Sequence, residues 1–396
     1  MKFSGALSLL PESVRMKLHR LRHPASDVAD GLSFVLAGTK AERDHAYSLL
    51  KKASEKRDPK EEFRLNKWSF LPCSAVLLCK RGEEILGAVS LVFDDGFGLP
   101  SEHHQDLGRF RRKGQRLVEI VGIAFKRDDV FLPLFRFAFE YAHRVLRADG
   151  LIIMDFNREP IFADILKFKS LVDGKLIRPE HVPEGRNYPK VLLFEGLEAI
   201  YQTLYGNLHQ DSNYHHYFFA KKFSEFQLPK RKFQLSAFPL LSPDQFRHFL
   251  VGKSVIERLS HKERLCLADT YAFSGLREEI LAGRKPGYHR SSPRIPVRYK
   301  ASVVNADSSL IKYGEVQQIA IGGLSLNVAD LDFTVGEEIS VVVDLDNRSR
   351  VKVKGHVVWT NGQSAGVKLE EPPRPWQEIN EYAWAALGMR AEVRAA

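Results

Sequence analysis

Arg284-Lys-Pro-Gly-Tyr-His-Arg-Ser-Ser-Pro-Arg-Ile-Pro-Val-Arg-Tyr-Lys300 marks the point where the texture of this chain changes. The segment carries six Lys or Arg and no acidic residue. From about residue 287 onward, short apolar stretches separated by turns replace helical patterning, at 295–304, 313–328, 339–344, 350–360 and 365–369. That spacing predicts an all-β module of barrel size. A closing helix is read from Trp376 to Leu387. Arg290 and Arg294 are four apart, with Arg298 four further on, and Pro286 and Gly287 make their approach flexible. Guanidinium groups grip phosphates in pairs and stack on base planes, so this arm suits a compact dianionic nucleotide.

Upstream of the boundary, Ser242-Pro-Asp opens a helix with a capping serine and a proline in the first turn. Helices are read over 243–258 and 261–282, and residues 211–283 form a helical connector. Pro229-Lys-Arg-Lys-Phe and Pro239 have linker character. Further back, strands alternate with helices. Cys73 to Cys79 and Ile85 to Phe93 are apolar runs around the turn Lys80-Arg-Gly-Glu-Glu, which predicts a hairpin. Residues 26–60 and 103–116 read as charged helices. Val118 to Phe125 reads as a buried strand carrying one glutamate, Glu119. Residues 131–148 show helical spacing that Gly150 ends. A strand from Leu151 to Phe156, a short helix from Pro160 to Phe168 and a strand from Val191 to Phe194 follow. The alternation predicts an α/β domain over 26–210, and the β-module spans 284–390.

The bulk numbers agree with several ordinary globular domains. The chain has 396 residues, 44% of them hydrophobic, enough for more than one core. Its net charge of +10 favours anionic partners, namely nucleotides, nucleic acid, acidic carrier proteins or anionic lipid. A solvating surface charge accounts for the same balance. Three cysteines without a C-x-x-C pair exclude a zinc knuckle and a dithiol redox motif. The histidines His103, His104, His209, His215 and His216 lack supporting carboxylates, so no metal site is expected. Gly-x-Ser-x-Gly, phosphate-loop and dinucleotide-binding patterns are absent. No apolar run reaches membrane-spanning length and the N-terminal apolar run is too short for a signal peptide, so a cytoplasmic chain is expected.

The last third resembles a PilZ domain over about 85 residues. Arg290-Ser-Ser-Pro-Arg294 is similar to the family's R-x-x-x-R arm, and Ile-Pro-Val follows it. Gln318-Ile-Ala-Ile-Gly-Gly323 stands where the family carries Asp/Asn-x-Ser-x-x-Gly, and Lys354-Gly-His-Val-Val-Trp359 and Gly366-Val-Lys-Leu resemble later strands. The resemblance implies cyclic di-GMP as ligand, held by Arg290, Arg294, Gln318 and Gly323. Gln318 still presents an amide, one methylene longer than asparagine. Ala320 removes the family's hydroxyl. Trp359, mid-strand, is expected in the core.

Residues from about 26 to 206 resemble the N-acyl amino acid synthases and, more distantly, acyl-homoserine lactone synthases, both with a GNAT-like fold. Gly87-Ala-Val-Ser-Leu-Val, Phe97-Gly-Leu-Pro100, Gly114-Gln-Arg-Leu-Val-Glu-Ile and Leu134-Phe-Arg-Phe-Ala-Phe-Glu-Tyr-Ala carry the resemblance, in family order. It implies acyl transfer from a thioester to an amine, with an acyl carrier protein thioester or acyl-CoA as donor. Such chemistry needs a base and an oxyanion donor. Glu119 is the base candidate, because burial pushes a carboxyl toward a useful proton affinity. A structural carboxylate paired with a basic neighbour is the alternative. Arg111, Arg112, Lys126 and Arg127 are candidates to meet the donor's phosphates or an acidic carrier, and a solvated helix face is the alternative. Gly122 and Ala163 stand where the related patterns carry Arg and Tyr.

The expectation is therefore a multidomain protein: a GNAT-like α/β domain, a helical connector and a PilZ-like barrel. It is a cyclic di-GMP-responsive effector with an acyltransferase output, or a non-catalytic interaction scaffold. No DNA partner is expected.

Overall fold

The structure, a computed structural model, describes residues 11–22, 24–25, 27–55, 67–94, 97–103, 105–112, 115–155, 169–171, 190–195, 216–229, 241–271, 276–281, 295–305, 311–328, 332–345, 349–362 and 364–386. The chain divides into two compact units, Met1–Ser69 with Ser74–Lys230, and Phe70–Cys73 with Arg231–Ala396.

In the first unit, helix α1 (Glu12–Arg22) precedes strand β1 (Leu32–Leu36) and helix α2 (Lys40–Glu55). The hairpin β2 (Ser74–Arg81) and β3 (Glu84–Phe93) leads to the short helix α3 (Gly108–Arg112) and strand β4 (Leu117–Phe125). Helix α4 (Asp128–Glu140) widens into a π turn, Tyr141–Val145, before β5 (Gly150–Asp155), β6 (Lys169–Ser170) and β7 (Lys190–Glu195). The strands form one sheet in the order β1-β2-β3-β4-β5-β7-β6. All neighbours run antiparallel except β4 and β5.

Helices α2 and α4 pack on the sheet. Ala46 and Leu50 of α2 pack on Val76, Leu78, Ala88 and Ala124. On the opposite face, Gly87 lies against Val130 and Leu134 of α4. Every residue of α4 from Val130 to Glu140 is buried, so the helix is wrapped on all sides. Its buried charges meet each other and a neighbouring segment: Arg136 bonds Glu140 at 2.6 Å and donates to the carbonyl of Tyr217 at 3.2 Å. Phe226 packs on Phe34 and Phe137, and the amide of Phe34 donates to Glu225 at 2.9 Å. The segment 216–229 thus covers the free edge of β1, which would otherwise offer unpaired main-chain groups.

The local readings need three corrections here. Residues 26–60 were expected as helix, yet Leu32–Leu36 is a strand paired with β2. Five residues ending at the bend before α2 are too few to show a period, and the pairing partners lie more than forty positions away. Among the described residues of 103–116, the helical structure is the end of a 3-10 turn, Pro100–His103, and the five-residue α3. The helix read at 131–148 starts earlier, at Asp128. The helix read at 160–168 lies outside the described residues.

The second unit carries α5 (Pro243–Phe246), α6 (His261–Thr270) and α7 (Arg277–Leu281). Ser242 caps α5 as expected, with Gln245 completing the capping box. The single helix read at 243–258 is instead α5, a π turn Arg247–Val251 and a 3-10 turn Ile256–Arg258. Ser254 at φ +52° interrupts it.

A closed six-stranded barrel follows: β8 (Ile295–Asn305), β9 (Ile311–Ala320), β10 (Gly323–Val328), β11 (Glu338–Asp344), β12 (Arg350–Thr360) and β13 (Ser364–Leu369). Strand β12 alternates buried and exposed residues through Val351, Val353 and Val357, the pattern of a sheet with one wet face. The stretch 313–328, read as one strand, is the hairpin β9–β10 turning at Ile321-Gly322. Helix α8 (Arg374–Ala386) adds Trp376, Ile379 and Ala383 to the barrel's core. Trp359, expected in the core, is only half-buried and lies over Gly366, because a bulge shifts the register after Val357. The buried indole is that of Trp376.

Candidate functional site

In the first unit the site forms where β4 and β5 part. The two strands pair in parallel from Leu117–Gly150 to Ile120–Ile153. Beyond that point, among the described residues, β4 continues beside β3 and β5 continues beside β7. The register between β3 and β4 shifts at the same place, between Ser90 and Leu91, leaving Val121 as the extra residue. Strand β4 is buried from Leu117 to Ile120 and half-exposed from Val121 to Ile123.

Glu119 sits one residue before the divergence and is 0% exposed. It pairs across the sheet with Val92, so Ser90, two residues back on β3, shares its face. Its Oε2 accepts the amide of Ser101 at 2.9 Å. The hydroxyls of Ser90 and Ser101 are buried and have no hydrogen-bond partner among the described residues. Sequence reasoning found the glutamate and missed both serines; Ser101 directly follows the Gly98-Leu99-Pro100 signal that could have flagged it.

The segment that carries Ser101 is tightly organised. Gly98 has φ +72°, a conformation that side chains disfavour. Glu102 folds back so that Oε2 accepts the amide of Leu99 at 2.8 Å. Arg111 donates to both oxygens of Asp94, at 2.8 and 2.7 Å, and also bonds Glu102. Burial opposes the Arg111 charge, but the bonds to Glu102 and Asp94 outweigh it and raise its pKa. Asp94 is itself buried, and its amide donates to the carbonyl of Leu117 at 2.9 Å.

The other basic candidates stand apart from this network. Lys126 pairs with Glu84 at 2.9 Å and Arg127 with Asp129, both near the surface where β4 ends. The side chain of Arg112 lies outside the described residues. A cysteine nucleophile is disfavoured at Cys79: burial, helped by the charge of Asp129, pushes its thiol up to about 12. Among the described residues no cluster of His, Cys, Asp and Glu could hold a metal ion.

In the second unit the candidate surface is the mouth of β8 and β9. Strand β8 begins at Ile295, opposite Ile319, and Pro296 pairs with Gln318. Gln318 therefore stands beside the entry point of the chain that carries the arginine arm. Arg290 and Arg294 themselves lie outside the described residues. Arg298, four positions past Arg294, is paired with Glu315 at 3.2 Å. Gly323 opens β10 so close to β13 that an added Cβ would sit 2.8 Å from the carbonyl oxygen of Val367. The carbonyl of Ala320 accepts the indole Nε1 of Trp376 at 3.0 Å.

A seven-stranded α/β sheet and a closed six-stranded barrel define a two-part protein. The family model for N-acyl amino acid synthase FeeM matches residues 43–193, and the PilZ domain model matches residues 288–383. The chain thus joins a FeeM-type domain to a PilZ domain. Solved structures similar to it include FeeM, an N-acyl amino acid synthase from uncultured soil microbes, at 21% identity, covering 45% of this chain and 98% of that one, with TM-score 0.37. The PilZ domain of CeSA from a cellulose-synthesizing bacterium is 18% identical over 24% of this chain and 96% of its own, with TM-score 0.20. The PilZ domain of YcgR from Escherichia coli, solved with c-di-GMP, is 12% identical over 27% and 98%, with TM-score 0.22. No curated protein matches the chain at a significant level. Among the described residues no helix is long and apolar enough to cross a membrane.

Proposed function

We propose that this protein is a cyclic di-GMP-responsive effector whose first unit transfers an acyl group from a thioester to an amine, yielding an N-acyl amino acid or a similar amide. The observation that carries the catalytic half is Glu119, a buried carboxylate one residue from the divergence of β4 and β5. The amine nitrogen attacks the thioester carbonyl. The C–N bond forms as the C–S bond breaks, Glu119 takes the amine proton, and the leaving thiolate recovers it. Main-chain donors along β4 past Ile120 suit the oxyanion, since fixed dipoles at a developing charge need no reorganisation. The donor is an acyl carrier protein thioester or acyl-CoA. Arg112, Lys126 and Arg127 are the proposed contacts to its acidic surface or phosphates, Lys126 and Arg127 following β4 at the wide end of the divergence.

For the barrel, the PilZ match supports cyclic di-GMP as the ligand, with Arg290 and Arg294 as phosphate clamps and Gln318 and Gly323 at the turn. The proposed setting is the cytoplasm.

One observation favours a second, non-catalytic reading. Ala320 lacks the hydroxyl of the family's turn and its carbonyl is committed to Trp376. A barrel that has lost its ligand would serve as an interaction scaffold. Calorimetric titration with cyclic di-GMP separates the readings: saturable binding that Arg294→Ala removes supports the effector, and no heat at high nucleotide supports the scaffold. For catalysis, the protein is mixed with acyl carrier thioester and amino acids. An amide product seen by mass spectrometry, and lost in Glu119→Gln, supports the acyltransferase; equal yield from the variant overturns the role of Glu119.

A further inference from the structure

Resting on the reading of Glu119 as the base, we propose that Arg111 is a positioning residue: it holds the Phe97–Glu102 segment shut and so fixes the Glu119 carboxylate through the Ser101 amide. The geometry runs in an unbroken chain. Asp94 directly follows β3 and is anchored on Leu117, two residues before Glu119 on β4. Arg111 reaches from α3 to both Asp94 oxygens with Nε and one terminal nitrogen. Its other terminal nitrogen takes Oε1 of Glu102. The second oxygen of Glu102 holds the amide of Leu99, and the amide of Gln105 donates to the carbonyl of Ser101 at 2.9 Å. Ser101 is thereby pinned from both sides, with its amide aimed at Oε2 of Glu119.

The chemistry of the guanidinium explains why an arginine stands here. It is a planar fork with donors in fixed directions, and it bridges two carboxylates that a lysine ammonium would meet only as a point charge. All three of its nitrogens point at carboxylate oxygens, so gripping a phosphate would mean leaving them. This moves Arg111 out of the acyl-donor contacts and into the support of the base. The same brace closes the loop over a carboxylate that is 0% exposed, so the loop also has to open for an amine to arrive.

The test compares the full-length protein with Arg111→Met, Arg111→Lys and Glu102→Gln. Amide hydrogen exchange is followed in peptides covering 97–105, with peptides from the β2–β3 hairpin as the folding control. Exchange in the loop should rise about tenfold or more in Arg111→Met, as expected when charge-assisted bonds holding a local element are lost. Glu102→Gln, which weakens one arm only, should show a smaller rise and keeps the test valid if Arg111→Met fails to fold. Unchanged loop exchange in both folded variants overturns the proposal. In acyl transfer, Arg111→Met should lower kcat about tenfold or more with the KM for the thioester donor within about twofold, and Arg111→Lys should recover only part of it. A raised donor KM at normal kcat would make Arg111 a donor contact and overturn the positioning role. If the wild type transfers no acyl group, the acyltransferase reading fails, while loop exchange still decides whether Arg111 orders the segment at Glu119.

Discussion

The indole Nε1 of Trp376 donates to the carbonyl oxygen of Ala320 at 3.0 Å, 56 positions away in sequence. This bond ties helix α8 to the last residue of β9, where the β9–β10 turn begins. Trp376 is fully buried, and Asn380 donates back to its carbonyl at 2.8 Å. Trp376→Phe keeps most of the apolar contact and strips the bond, leaving a buried carbonyl bare. Such a loss costs about 1–3 kcal/mol. Urea unfolding followed by circular dichroism should show a lower midpoint for the barrel transition; an unchanged midpoint would show that the bond contributes nothing net.

The turn itself can be rebuilt. Gln318→Asp with Ala320→Ser restores the acidic group and the hydroxyl of the family pattern. Each recovered hydrogen bond is worth about 0.5–1.5 kcal/mol, so cyclic di-GMP affinity should tighten by about twofold to tenfold per bond. Titration calorimetry reads this directly. Weaker binding in the rebuilt protein would mean that the nucleotide, if bound, uses a different surface.

Gly323 is held to its identity by space. An added Cβ would approach the carbonyl of Val367 to 2.8 Å, and that oxygen belongs to backbone that cannot swing aside. Gly323→Ala should destabilise the barrel by about 1–3 kcal/mol, in the range of overpacked cores. Differential scanning calorimetry tests it, and a melting temperature equal to the wild type's would refute the crowding argument.

Glu119→Gln offers a cleaner test than alanine would. The amide oxygen can still accept from Ser101, so the loop keeps its anchor while the proton acceptor is lost. Acyl transfer should fall by about 10²–10⁴-fold, the usual worth of a positioned base. Retained activity with a retained fold would assign the proton to another group.

Glu42 links the first unit to pH. Its Oε2 accepts the amides of Gly38 and Thr39 ahead of α2, and Oε1 bonds Lys80 at 2.9 Å. Burial alone would raise its pKa, but the bonds to Lys80, Thr39 and Gly38 prevail and lower it below 4.5. A carboxylate with a depressed folded pKa adds stability that is fully present above the unfolded value and lost as pH falls through the folded one. Wild type should therefore lose stability below about pH 4.5, whereas Glu42→Gln should be weaker near pH 7 by about 1 kcal/mol, the scale of a helix cap, and flatter on acidification. Thermal melts at pH 7 and pH 3.5 would decide; identical slopes for both proteins would deny Glu42 the role.

Much of the architecture was legible because its signals are local. The alternation in β12, the capping serine at Ser242 and the apolar run of β4 each declare themselves within a dozen residues. Where the local signal was short or interrupted, the reading slipped. Leu32–Leu36 falls inside a stretch that reads as helix, and the strand limits 313–328 run across the Ile321-Gly322 turn, which only the family pattern marks. Trp359 leaves the expected core because a bulge, which has no period, decides which face a strand residue takes.

From its sequence alone the protein declared two kinds of chain, an α/β sheet and a β-barrel, and named Glu119 and the Gln318–Gly323 turn as places to look. Periodicity and turn chemistry act over neighbours, so they survive in a linear string. Tertiary structure alone decided what surrounds those places. It turned Arg111 toward Asp94 and Glu102, laid Ser101 on Glu119, and hung Ala320 from Trp376. Those contacts join elements whose pairing follows from strand register and loop closure, and no residue carries that information in its own identity.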